Sequence, residues 1–130
     1  KKLKKQYSKS IRLEPSDIEI ESADEVLLKK CISTIEKNLQ NEDFSVETLA
    51  EILNMSNSSL YRKLKSLTNL SSAEFIRFIR IKRSAQLLQD KSKTVSEIAY
   101  EVGFNDMKHF RQVFHKQFNC SPTEFREKIQ

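Results

Sequence analysis

Residues 54–75 have the sequence NMSNSSLYRKLKSLTNLSSAEF, and residues 103–125 repeat it in altered form as GFNDMKHFRQVFHKQFNCSPTEF. From Leu60 onward the copies align at an offset of 50, whereas upstream, where Leu49 matches Ile98, the offset is 49. One residue has therefore been gained in the turn before the second long helix. Because a period near 50 residues indicates a duplicated supersecondary unit, the sequence predicts two helix-turn-helix units.

The composition of the chain favours an all-α fold. Its 130 residues fit one domain, or two very small domains that share a core. One Gly and two Pro argue against β-sandwiches and barrels, which need many turns. No apolar run approaches the ~18 residues of a membrane span, and the basic start lacks the apolar segment of a signal peptide. Since residue 1 is not Met, we expect a fragment of a longer protein.

The two cysteines, Cys31 and Cys120, lie in apolar surroundings without a disulfide framework. Such cysteines are typical of a reducing cytosol, where a buried Cys acts as a small hydrophobic residue. We therefore expect a cytoplasmic location and free thiols, although a disulfide between the two stays open.

Apolar spacing and capping signals predict about seven helices. Capping boxes stand at Ser22 with Glu25 and at Thr94 with Glu97. Gly103, the only glycine, follows the fifth helix at a position that commonly needs the left-handed conformation. The predicted helices begin near residue 23 and then cover residues 46–53 after Ser45, 57–68 after Ser56, 72–89, 95–102, 106–118 and a last segment that Ser121 and Pro122 begin.

The same patterns predict how the chain is organised. Residues 1–21 form a predicted extended arm from an upstream domain, since their apolar residues alternate around Pro15. The first helix-turn-helix unit then covers about residues 22–70, and the second covers about residues 94–130. A linker helix at about residues 72–90 joins them, and we expect Arg77, Arg80 and Arg83 to line its polar side.

Positive charge is concentrated in residues 55–93, which carry nine basic and two acidic side chains in a chain of net charge +5. This segment contains the first long helix of the repeat and the linker helix. A basic patch is the electrostatic footprint of a nucleic-acid binder. A solvated lysine-rich face explains the charge equally well, so charge by itself does not choose between the two.

The two long helices of the repeat each present a polar face that fits the major groove of duplex DNA, which is wide enough to admit a helix. Arginine pairs with guanine, glutamine pairs with adenine, and methionine contacts the thymine methyl group. Because the two faces differ, we expect them to read different half-sites. The predicted base-reading residues are Asn57, Ser58, Tyr61 and Arg62 in the first unit and Met107, Lys108, Arg111 and Gln112 in the second.

Other polar residues near these faces are assigned to phosphates, whose contacts set the register of the protein on DNA without reading sequence. These predicted phosphate-binding residues are Ser56, Lys63, Lys65, Arg77, Asn105 and His115. Structural alternatives stay open for several residues. Met107 fits a core position equally well, Tyr61 could cover the apolar edge of its helix, and Arg62 and Arg111 could be solvated.

The residue patterns do not indicate catalysis or cofactor binding. His109 and His115 lie six residues apart and so do not share a helix face, as a zinc site would require. No glycine-rich phosphate loop and no nucleophile–base pattern is found in the sequence. We therefore expect no metal, no cofactor and no enzymatic activity in this segment, and no small-molecule ligand.

Three motifs resemble the DNA-binding domain of the AraC/XylS family of bacterial transcription regulators: LAEILNMSNSSLYRKLKSLTN, FIRFIRIKRSAQLL and VSEIAYEVGFND…HFRQVFHKQFNCSPTEFR. The resemblance covers about residues 24–127. Its most specific matches are Ile98-Ala99, Gly103-Phe104, Phe110, Phe114 and Ser121-Pro122. The chain departs from the family at Asn69 and Asn119, where Gly is usual, and at Ser72, where Pro is frequent. Because Asn tolerates left-handed geometry, we expect the fold to be kept.

The resemblance implies seven helices, two helix-turn-helix units and binding to adjacent major grooves of double-stranded DNA, roughly 34 Å apart. Residues 5–25 are similar to the connector that follows a receiver domain in hybrid two-component sensors. On this reading the chain is the output end of a membrane-anchored sensor that could carry a histidine kinase upstream. Homodimerisation through upstream domains and contact with RNA polymerase stay open.

Two functions of other classes compete with sequence-specific regulation. A helical protein-interaction module would explain the basic helix, but it needs no pair of helices in this register. Non-specific nucleic-acid packaging needs only charge, so two different polar faces argue against it.

Overall fold

The computed structural model describes residues 22–129, which form seven helices and no strand. This confirms the expected all-α fold, whereas the predicted extended arm at residues 1–21 lies outside the described residues. None of the described helices is long and apolar enough to cross a membrane. The helices are α1 (Ala23–Lys37), α2 (Val46–Ile52), α3 (Asn57–Thr68), α4 (Ser72–Leu87), α5 (Val95–Glu101), α6 (Met107–Phe118) and α7 (Pro122–Lys128).

Hydrogen bonds from side chains confirm where the sequence predicts that helices begin. The hydroxyl of Ser22 accepts a bond from the Glu25 amide, and the Glu25 carboxylate accepts one from the Ser22 amide in return. Ser45, Ser56, Thr94 and Ser121 are the N-caps of α2, α3, α5 and α7. The predicted ends are less accurate, because α2, α4 and α5 stop one or two residues early, and α6 begins at Met107 after its N-cap Asp106.

The described residues divide into two compact units. The first comprises residues 22–34 and 45–75, and its core includes Leu60 and Leu64 from α3. The second comprises residues 35–44 and 76–129, so the segment that follows α1 belongs with the second helix-turn-helix. The buried core of the second unit includes a cluster of Ile81, Ala85, Leu88, Ile98, Ala99, Val102, Phe104, Phe110 and Phe114.

The turn of the helix-turn-helix has the same hydrogen bonding in both copies of the repeat. The amide of Met55 donates to the carbonyl of Ala50 at 2.9 Å, and the amide of Phe104 donates to the carbonyl of Ala99 at the same distance. The residue before each donor is left-handed, with φ of 57° at Asn54 and 94° at Gly103. These equivalent bonds show that the sequence repeat is a structural repeat.

The residue gained in the second turn is Asn105. In the first unit Met55 directly precedes the N-cap Ser56, whereas Asn105 separates Phe104 from the N-cap Asp106. Helices α3 and α6 then both end on a left-handed asparagine, with φ of 66° at Asn69 and 60° at Asn119. These angles confirm that Asn supplies the geometry for which glycine is the usual residue.

One prediction about α4 is wrong. Arg80 does not line the polar side of this helix, because only 5% of its surface is exposed. The guanidinium donates hydrogen bonds to the carbonyls of Leu39, Asn41 and Val102. A buried charge is tolerated where such bonds satisfy it, and here three carbonyl oxygens that are distant in sequence do so.

Both cysteines are buried free thiols. Burial raises the pKa of Cys31 to about 11, because the thiolate is poorly solvated inside the protein. The thiol of Cys31 is therefore protonated and unreactive at neutral pH, as a structural cysteine is expected to be.

We predict that Ser72→Pro raises stability by about 0.5–1 kcal/mol, chiefly by restricting the unfolded chain. Ser72 is the first residue of α4, and its hydroxyl is buried without a hydrogen-bond partner among the described residues. In the second unit Pro122 occupies the equivalent position, at the start of α7. Proline suits the first helical residue because the amide there has no partner within the helix. Denaturant unfolding measures the gain, and Ser72→Ala separates loss of the hydroxyl from the effect of the ring. A lower midpoint for Ser72→Pro than for Ser72→Ala would contradict this account.

Candidate nucleic-acid interface

Helix α3 separates an apolar side from a polar side. Leu60, Leu64 and Leu67 are buried, and at 100° per residue the opposite side contains the exposed polar residues. Ser58, Tyr61, Arg62 and Lys65 lie together there, and Tyr61 is 46% exposed. No acidic residue occurs in α3, so the positive charge of this face is not neutralised within the helix.

The N-terminal end of α3 adds small polar groups to the same face. The hydroxyl of Ser56 accepts a bond from the Ser59 amide at 3.1 Å and lies 3.4 Å from the hydroxyl of Ser58. Asn57 is exposed beside them. This end of the helix carries no negative side chain, which favours the approach of a phosphate.

Two of the residues assigned to phosphates, Lys63 and Arg77, are paired or partly buried within the protein. The Lys63 ammonium lies 2.8 Å from the carboxylate of Asp24, on a side of α3 roughly 100° from Arg62. This ion pair is exposed on both sides and so contributes little to stability, but it competes with a phosphate for Lys63. Arg77 is half-buried on α4 rather than fully exposed.

Helix α6 presents a second polar face with a different composition. Phe110 and Phe114 are fully buried. On the other side Lys108, Arg111, Gln112 and His115 are all exposed, at angular positions equivalent to those of Ser58, Tyr61, Arg62 and Lys65. Four of the six second-unit residues assigned from the sequence therefore share one face.

The remaining two second-unit residues have contacts within the protein. Met107 is half-buried and packs against the aromatic core of the second unit, which is the alternative that the sequence left open. The side-chain amide of Asn105 donates to the carboxylate of Glu42 at 3.3 Å. Asp106, the N-cap, adds a carboxylate at the start of α6, where α3 has the neutral Ser56. Phosphates are therefore less favoured at this end of α6 than at the equivalent end of α3.

Sequence reasoning missed two residues that shape the second unit. Both contact the turn that precedes α6. Arg80 binds the carbonyl of Val102, and Glu42 accepts a hydrogen bond from Asn105. The only local signal for Arg80 is its spacing, since it lies four residues from Ile76 and four from Ser84, which are both buried. Glu42 has no such signal, because its partner is 63 residues away.

Comparison with known proteins identifies a matching family model and several similar proteins. A family model described as a helix-turn-helix domain matches residues 49–128. Histidine kinase P4 of Formosa agariphila is 40% identical over 127 residues, which are 98% of this chain and 9% of that protein. The C-terminal domain of AraT, a response regulator from Geobacillus stearothermophilus, is 28% identical with a TM-score of 0.71, over 82% of this chain and 88% of that domain.

A further solved structure includes nucleic acid. The DNA-binding domain of AdpA, described as a global transcriptional factor and solved in complex with a target DNA, is 29% identical with a TM-score of 0.68. The match covers 78% of this chain and 90% of that one. The chain spans 9% of the length of the Formosa protein and 31% of the length of two other curated relatives.

Proposed function

Because this chain belongs to the AraC-type helix-turn-helix family, we propose that it binds double-stranded DNA in a sequence-specific manner as part of a transcription regulator. The observation that carries the proposal is the structural repeat. Two equivalent turns place two helices with exposed polar faces, and the faces differ in chemistry. A protein that bound DNA by charge alone would not need two different faces.

Each face is assigned to one box of the operator, meaning the base pairs that one reading helix contacts. In the second box we assign Arg111 to a guanine and Gln112 to an adenine, since these side chains pair with those bases in the major groove. Asn57, Ser58, Tyr61 and Arg62 read the first box. The two boxes therefore differ, and the operator is not a palindrome.

The relatives also suggest the protein in which this segment works. The relative from Formosa agariphila that matches nearly the whole chain is named a histidine kinase, and AraT is a response regulator. We place the chain at the output end of a two-component signalling protein in the cytoplasm, with sensing and kinase functions in other segments of the full-length protein. No enzymatic activity is proposed for residues 22–129.

Site selection from a random duplex library tests the proposal. At near-physiological salt, we expect enrichment of a bipartite, non-palindromic site whose boxes lie about one helical turn apart. The selected duplex should bind at least ~1,000-fold tighter than its scrambled version. Absence of enrichment, together with affinity that only falls as salt rises, would instead show charge-driven binding.

Single substitutions separate base reading from phosphate binding. We predict that Arg62→Ala and Arg111→Ala each lose about 1–3 kcal/mol of binding free energy on the selected site and relax specificity at one position each. Lys65→Ala, in contrast, should weaken binding to all sequences alike and reduce the salt dependence. Titrations on selected and scrambled duplexes distinguish the two. Equal losses on both duplexes for the arginine variants would remove the base-reading assignment.

A further inference from the structure

We propose that Arg80 is a positioning residue for the second reading helix, because it holds the turn before α6 against residues 38–44. This inference rests on the proposed function, since it concerns how α6 is aimed at its box. The residues involved all belong to the second compact unit.

The guanidinium of Arg80 joins two segments that are distant in sequence. One nitrogen, Nη1, donates to the carbonyl of Leu39 and, at 2.7 Å, to the carbonyl of Val102. The other, Nη2, donates to the carbonyl of Asn41 at 3.1 Å. Because the side chain is buried and charged, these bonds are stronger than bonds between neutral groups and are shielded from water.

The two segments that Arg80 joins meet at the turn between α5 and α6. Val102 is the C-cap of α5, and only residues 103–106 separate it from the first residue of α6. At the other end of the same turn, Asn105 donates to Glu42, which lies in the segment that Arg80 holds through Leu39 and Asn41. The turn is therefore attached to residues 38–44 at both ends.

The second turn needs such attachment more than the first does. It is one residue longer, and it contains a glycine, which loses more conformational freedom on folding than any other residue. Attachment at both ends limits the directions that α6 can take relative to α5. A small error in this direction moves Arg111 and Gln112 away from the base edges, although phosphate contacts tolerate it better.

Arginine is suited to this role and lysine is not. The planar guanidinium presents several N–H groups in a fixed fork, so it reaches carbonyls in two segments simultaneously. A lysine at this position keeps the charge but has a single nitrogen at the end of a shorter side chain. Arg80→Lys therefore weakens the attachment while it preserves charge and most of the buried volume.

The test measures discrimination at each box separately. Arg80→Lys is compared with Arg83→Lys, the same substitution at an exposed residue of the same helix, whose guanidinium donates a hydrogen bond to Gln86. Each protein is titrated against the selected duplex and against duplexes mutated in the first or the second box. We expect Arg80→Lys to reduce discrimination at the second box about tenfold, comparable with the loss of one base contact, and to change the first box less than about twofold. Arg83→Lys should leave discrimination at both boxes unchanged.

A second pair of variants keeps the proposal testable if Arg80→Lys is too unstable to assay. Glu42 is exposed, so its replacement leaves the core intact. Glu42→Ala removes the acceptor for Asn105 and should selectively weaken discrimination at the second box, whereas Glu42→Gln retains an acceptor oxygen and should restore it. Comparison of these two variants separates the hydrogen bond from the charge.

The outcomes distinguish this proposal from the proposed function. A wild-type protein that selects no site defeats the proposed function, and the positioning role falls with it. A wild-type protein that discriminates at both boxes, with variants that either match it or lose both boxes equally, overturns the positioning role alone. Equal loss at both boxes that follows the melting temperature would show that Arg80 only stabilises the fold.

Discussion

Gly103→Ala is expected to lower the free energy of unfolding by about 2–5 kcal/mol. Gly103 has φ of 94°, which L-residues rarely adopt, and forcing a residue into such a region costs roughly 1–3 kcal/mol. A Cβ at this position would also overlap the Arg80 guanidinium and the backbone carbonyl oxygen of Leu39. The side chain of Arg80 is buried and bonded, and the carbonyl belongs to the backbone, so neither moves away without loss of hydrogen bonds.

The first unit provides the control for Gly103→Ala. Asn54 occupies the equivalent turn with φ of 57° and an exposed side chain. Asn54→Ala therefore includes the cost of a left-handed alanine without the overlap, roughly 1 kcal/mol. Urea unfolding monitored by circular dichroism compares the two variants. If Gly103→Ala is no more destabilising than Asn54→Ala, the close approach of Arg80 and Leu39 does not restrict this position.

Phe114→Ala is the second substitution for which we expect a large effect, a loss of about 3–5 kcal/mol. The Phe114 ring is fully buried, and its centroid lies 5.9 Å from Phe110, 4.9 Å from Phe118 and 5.6 Å from Phe125. Removal of the ring loses its transfer free energy and leaves a cavity among rigid neighbours that are attached to two helices. Because such neighbours collapse only in part, most of the cavity should remain.

Phe118→Ala serves as the comparison for Phe114→Ala. Phe118 is on the same helix and contacts the rings of Phe114 and Phe125, but it is only half-buried. Its truncation exposes a smaller cavity that water and neighbouring side chains fill more easily, so we expect roughly half the loss. Thermal and urea unfolding of both variants give the ratio. A melting temperature for Phe114→Ala equal to that of the wild type would contradict the central position of Phe114 in this core.

Much of the fold was readable from local sequence signals. The capping boxes at Ser22, Thr94 and Ser121 begin helices where the sequence predicts them, because each box is completed by residues three positions apart. Apolar residues recur at helical spacing in the sequence, and Leu60 and Phe110, which follow this spacing, are fully buried. Helix ends were less accurate, since α2, α4 and α5 end one or two residues before their predicted limits.

The sequence predicts the exposed faces of the candidate interface as well as it predicts the helices to which these faces belong. Once α6 is known, periodicity places Lys108, Arg111, Gln112 and His115 on one exposed face, as the structure shows. Periodicity did not decide whether Met107 is exposed or buried. This residue lies at the edge of that face and is partly buried against the aromatic core. The assignment of individual residues to bases and phosphates stays a prediction for the binding experiments.

The local features of this protein follow from its sequence, because caps, stripes and left-handed turns each depend on residues within about four positions of one another. Tertiary structure decided what depends on partners far away in the chain. Arg80 is buried because carbonyls 41, 39 and 22 residues away accept its hydrogen bonds, and Lys63 is paired because Asp24 lies beside it. A polar residue is predicted to be exposed until such partners are known, since only they offset the free energy of its burial.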